Sequence, residues 1–125
     1  MQEQMQDKNM NANENNSKPV QINNGNFDSE VLNAKQPVLV AFLTAWSRAC
    51  AVISPVLDEI ASECVSKLKV VRVNADANLD LSVWYDVQSI PTLLYFVSGK
   101  VRTKIIGTAS KEAILSKLEL TSKES

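Results

Sequence analysis

From Val20 onward the chain changes rhythm repeatedly between apolar and polar positions, and each change marks an element. Val20-Gln21-Ile22 alternates with a period of two, a short strand. Asp28 is placed to cap a brief helix through Val31 and Leu32 that stops before Pro37. Val38-Leu39-Val40-Ala41-Phe42-Leu43 is apolar at every position, which predicts a central strand covered on both faces. From Ala51 to Val65 the period becomes helical, with Val52, Ile53, Val56, Leu57, Ile60, Ala61 and Cys64 forming a stripe expected to face the core. Pro55 removes an amide donor and crowds the carbonyl of Ala51, so a bend is expected there.

Leu68 to Asn74 is a β-branched strand, Asp76 to Asn78 is turn chemistry, and Leu79 to Tyr85 is a short helix broken by Ser89-Ile90-Pro91. Thr92 to Val97 reads as a strand that Ser98-Gly99-Lys100 turns into Val101 to Ile106 as a hairpin. Gly107 follows, and Ser110 caps a last helix with the apolar face Ala113, Ile114, Leu118 and Leu120. The order β-α-β-α-β-α-β-β-α predicts an α/β fold, one mixed sheet with helices on both faces. Residues 1–18 lack this patterning: Gln, Asn and Glu surround Met1, Met5 and Met10, which predicts a flexible polar tail, with a weak partner-binding helix as the alternative. The domain is expected over 19–121, with 122–125 a C-terminal tail.

Composition narrows the chemistry. A chain of 125 residues, 45% of them hydrophobic, supports one core and one domain. A formal charge of −1 makes neither nucleic acid nor an acidic membrane an expected partner. No apolar run reaches the length of a membrane span, and the start lacks the basic-then-apolar order of a signal peptide, so the expected location is cytoplasmic. The absence of histidine removes the commonest general base and every imidazole zinc site, so no metal and no cofactor are expected. Two cysteines remain, Cys50 and Cys64. On one helix their separation is about 21 Å, against the roughly 7 Å a disulfide allows, so they are not expected to pair. Cys64 lies on the buried stripe as a small core side chain.

The candidate chemistry sits in Ala45-Trp46-Ser47-Arg48-Ala49-Cys50, between the apolar strand and the long helix. That strand end is the edge where open α/β sheets place their sites. Ser47 and Cys50 have the spacing of a Cys-x-x-Cys redox pair with the first sulfur exchanged for oxygen. A hydroxyl is un-ionised near neutral pH and forms no disulfide, and without a histidine base Ser47 reads as a helix N-cap and not as a nucleophile. The helix start and Arg48 favour a Cys50 thiolate, while burial opposes it. Trp84, in the short helix, is either an exposed aromatic anchor or packed on the sheet. Lys111, Glu112, Lys117 and Glu119 read as a solvated helix face.

Val38-Leu39-Val40-Ala41-Phe42, Ala45-Trp46 before a four-residue turn, Pro55-Val56-Leu57-Asp58-Glu59-Ile60-Ala61, Val73-Asn74-Ala75-Asp76, Ile90-Pro91-Thr92-Leu93-Leu94, Ser98-Gly99-Lys100 and Ile106-Gly107 occur in an order and spacing that resembles thioredoxin from about Val20 to Leu120. The resemblance implies a thioredoxin fold with a four- or five-stranded sheet, a bend at Pro55 and a cis peptide before Pro91. It also implies a groove for extended peptide formed by Trp46, the backbone of Ile90 at Pro91, and Gly107, flanked by the turn residues Arg48 and Ala49.

The same resemblance marks departures. Ser47 stands where the family has its attacking cysteine, and Cys50 keeps the resolving position. Ala41 stands where the family usually buries an aspartate, so Arg72 is expected to find another acid or to extend to water. Arg48-Ala49 lacks the usual glycine and proline. The expected function is binding of polypeptide or a protein partner through the groove, with little or no dithiol-disulfide reduction. The alternatives are a single-cysteine redox protein acting through Cys50 and a structural subunit of a larger assembly; an engineered trap explains Ser47 and leaves Ala41 unexplained.

Overall fold

In the computed structural model, which describes residues 19–119, the strand order across a five-stranded sheet is β1-β3-β2-β4-β5. The strands are β1 (Val20–Ile22), β2 (Val38–Leu43), β3 (Lys69–Asn74), β4 (Thr92–Val97) and β5 (Lys100–Ile106). The helical elements are α1 (Asp28–Leu32, of π type), α2 (Arg48–Glu63), α3 (Leu79–Trp84) and α4 (Lys111–Lys117). β3 runs parallel to β1 and β2, while β4 is antiparallel to both β2 and β5. The expectations for 1–18, including Met1, Met5 and Met10, and for Leu120 and 122–125 lie outside the described residues.

The fully apolar β2 is the centre, and all six of its residues are buried. Its alternate side chains feed two cores. Leu39, Ala41 and Leu43 join Ile53, Leu57 and Ile60 of α2 and Ile114, Leu115 and Leu118 at α4. Val40 and Phe42 join Ile22, Val31, Val71 and Phe96 on the face that carries α1 and α3. Phe27, Tyr85 and Phe96 close that second core as three mutually tilted rings with centroids 5.4 to 5.8 Å apart. Ser98 and Gly99, both with positive φ, form the two-residue turn between β4 and β5. A Cβ at Gly99 would lie 3.0 Å from the carbonyl oxygen of Leu32, so the turn is also tightly seated on α1.

Three local expectations are corrected. Asp28 does not cap α1: Phe27 occupies the cap position with helical dihedrals, and the carbonyl of Asn26 already accepts from Glu30 N–H at 2.9 Å. The asparagine turn before it, where the Asn23 side chain accepts from Gly25 N–H at 2.8 Å, starts the helix instead. Val52 is exposed, because the buried stripe of α2 is the narrower set Cys50, Ile53, Leu57, Ile60 and Ala61. On α4 it is Leu115, and not Ala113, that joins Ile114 and Leu118 in the core. Among the described residues no helix is long and apolar enough to cross a membrane.

Candidate functional site

The end of β2 delivers the chain into Thr44-Ala45-Trp46-Ser47, and α2 begins at Arg48. Ser47 has extended dihedrals, φ −87° and ψ 126°, and its Oγ accepts the Cys50 N–H at 3.2 Å. The helix starts with four amides that have no partner within it, and this hydroxyl satisfies one of them. Cys50 is 3% exposed, and its Sγ accepts the Thr44 N–H at 3.4 Å. Arg48 is exposed and Ala49 half-buried on the first turn.

Trp46 is 73% exposed, yet its position is fixed: the indole Nε1–H donates to Asp76 Oδ2 at 2.6 Å. Asp76 is itself held in the loop after β3 by Asn74, whose Oδ1 accepts the amides of Asp76 and Ala77 at 3.0 and 3.2 Å. Asn74 and Asp76 are the positioning residues that reading the sequence passed over. Asp76 to Asn78 reads as turn chemistry and Asn74 as a strand end, while a contact spanning 30 positions has no local signal.

The start of β4 lies at the same end of the sheet. The Ile90–Pro91 peptide is cis, Pro91 is buried and Ile90 half-buried. Thr92 lies opposite Phe42 on one side and Ile106 on the other, so the proline loop and Gly107 sit at the same sheet end as the β2–α2 turn. Gly107 N–H donates to the Pro91 carbonyl at 2.9 Å. With φ at +89° and nothing within 4 Å of a Cβ, Gly107 is required by its backbone conformation and not by crowding. Ile106, 61% exposed, adds apolar surface beside it.

Arg72 corrects an expectation. It stands in register with Ala41 across β2 and β3, and among the described residues it pairs with no acid: half-buried, its Nη2–H donates to Ser54 Oγ on α2 at 3.0 Å. Trp84 resolves as exposed, with Leu79 and Val83 exposed on the same short helix. Cys64 ends α2 as its C-cap and is buried. Burial and the neighbouring Glu63 carboxylate push its thiol up, against smaller opposing effects of Lys67 and Lys111. Among the described residues no cluster of histidine, cysteine or carboxylate side chains is arranged to hold a metal ion.

Comparison with known proteins agrees with this architecture. A family model described as Thioredoxin matches residues 18–120. The chain is 39% identical over 99 residues to the thioredoxin of Griffithsia pacifica, covering 79% of this chain and 91% of that protein. It is 38% identical over 103 residues to thioredoxin 1 of a Nostoc species, covering 82% and 96% of the two chains. It is 40% identical over 98 residues to the M-type chloroplastic thioredoxin of Chlamydomonas reinhardtii, covering 78% of this chain and 70% of that protein.

Proposed function

The chain belongs to the thioredoxin family, and from that premise we propose that it binds extended polypeptide or a protein partner in the groove of Trp46, Ile90, Pro91 and Gly107, with little or no dithiol-disulfide reduction of its own. The observation that carries this reading is the use made of Ser47: its oxygen is committed to the amide of Cys50 as a helix cap. Reversible dithiol chemistry needs two sulfurs that can meet. The only other sulfhydryl, Cys64, is buried at the opposite end of α2, about 21 Å along the helix. Two contacts support the groove reading. Its exposed indole is pinned by Asp76, and its glycine is pinned to the proline loop. A pre-positioned aromatic beside open backbone suits an extended chain, since little side-chain freedom is lost on binding.

The test is an NMR titration of the protein with a reduced, carboxymethylated unfolded polypeptide. Shifts at Trp46, Ile90 and Gly107, preserved in Cys50→Ala and lost in Ile90→Glu, are expected. Turnover of insulin disulfides at ordinary thioredoxin rates by the wild type would overturn the proposal.

A second reading rests on one specific contact, the Thr44 N–H donated to Cys50 Sγ, which holds the sulfur in place at the start of α2. In this reading Cys50 exchanges with a small disulfide: its thiolate attacks one sulfur, a mixed disulfide forms, and the other half leaves as thiolate. Mass spectrometry after incubation with oxidised glutathione distinguishes the two, an adduct on Cys50 supporting exchange and an unmodified chain excluding it.

A further inference from the structure

We propose that the cavity of about 330 Å³ between α2 and the β1–β3 side of the sheet is a binding site for a small carboxylate or oxyanion, anchored by Arg72.

Strand register fixes the surroundings of Arg72. Gln21 on β1 and Ala41 on β2 are the two neighbours of Arg72 across the sheet, so the guanidinium rises between an amide and a methyl group. The chain turns it toward α2, where Ser54 Oγ accepts one of its N–H groups. A guanidinium has five such donors in a planar fork, and a hydroxyl occupies one of them.

Arg72 is half-buried and, among the described residues, makes no ion pair. Its remaining donors, with no counter-charge beside them among the described residues, are open to an anion.

The wall around it is consistent in sign. Gln21, Thr44, Cys50, Ser54 and Asn74 supply its other polar or sulfur-bearing groups, and no aspartate or glutamate lines it. The Oδ1 of Asn74 is already engaged by the loop amides, which leaves the amide nitrogen of that side chain as the group available to a ligand. Thr44 in the same wall has a buried hydroxyl with no partner among the described residues.

The space, about 330 Å³ and open to solvent, is ample for an acetate or phosphate with part of its hydration. The fork of arginine matches both anions, two parallel N–H···O bonds to a carboxylate or to two oxygens of a phosphate. Cys50 borders the same cavity, so an anion there sits beside the sulfur without touching the peptide groove.

The experiment is a ¹H–¹⁵N titration of the wild type with sodium acetate and, separately, sodium phosphate, each against sodium chloride at matched ionic strength. Saturable shifts confined to Arg72, Ser54 and the Cys50–Ala51 amides are expected, with affinity at least roughly tenfold weaker in Arg72→Gln, the loss of one charge-assisted pair. Ala41→Asp is the second variant: it places a carboxylate in register with Arg72 and is expected to abolish the shifts by occupying the fork internally. Response to acetate alone assigns a carboxylate site, and response to both anions assigns a general oxyanion site. Absence of saturable shifts with either anion, or equal affinity in wild type and Arg72→Gln, would overturn the proposal.

Discussion

Ser47→Ala removes one oxygen and leaves every other group at the helix start in place, so its effect isolates the cap. The bond lost is Cys50 N–H to Ser47 Oγ at 3.2 Å, at the long end of the hydrogen-bond range. Loss of a serine cap costs about 0.5–2 kcal/mol, and the length of this bond places the expected value in the lower half, about 0.5–1 kcal/mol. For a domain of about 100 residues that corresponds to a fall in Tm of roughly 2–8 °C. Urea unfolding followed by circular dichroism measures it, with the midpoint moving and the slope unchanged because no additional surface is exposed in the native state. Ser47→Gly is expected to cost only a few tenths of a kcal/mol, and Ser47→Asp to keep the acceptor and add a favourable charge at the helix start. Amide exchange supplies a local readout: the Cys50 amide is expected to exchange faster in Ser47→Ala. A Ser47→Ala protein with wild-type midpoint and wild-type exchange at Cys50 would refute the assignment of the oxygen to capping.

Ser47→Cys is expected to form a disulfide with Cys50 on mild oxidation, seen as loss of those two thiols in a quantitative thiol assay while Cys64 remains; failure to form it would mean that the turn cannot bring two sulfurs together. Cys64 has its thiol pushed up by burial and by Glu63, so the folded state keeps this proton where the unfolded state loses it. Stability is therefore expected to fall as pH rises above about 8.5, and Cys64→Ala should flatten that part of the pH profile in denaturation measurements. The ammonium of Lys111 is pushed up chiefly by its hydrogen bond to Glu63. Its contribution is present below the ordinary lysine range and lost as pH rises through the folded value, so Lys111→Met should lower Tm slightly at neutral pH and not at all in high salt. Phe96→Ala removes the ring that both Phe27 and Tyr85 pack against, and a loss of about 3–5 kcal/mol in urea unfolding is expected.

The parts of the fold that rest on period and on backbone chemistry were legible in the residues. β2 could be read because six consecutive apolar side chains suit only a strand covered on both faces. The Ser98-Gly99 hairpin could be read because the turn needs positive φ. What escaped depends on orientation in three dimensions. Val52 and Ile53 differ by one position, but on a helix that is about 100° of rotation, enough to put one in water and the other in the core. The partner of Arg72 depends on how α2 lies over β3, which sets Ser54, and not an acid, within reach. In the same way Asp76 meets Trp46 only because the loop after β3 folds back to the β2–α2 turn.

The two indoles have a practical consequence. Trp46 and Trp84 are 73% and 79% exposed, so both already emit from a watery environment in the native protein. Unfolding should therefore change the wavelength of intrinsic fluorescence very little, and a conventional tryptophan melt would under-report the transition. Occupation of the groove should do the opposite, shifting the emission of Trp46 to shorter wavelength, while Trp84, on a separate helix, supplies an internal reference.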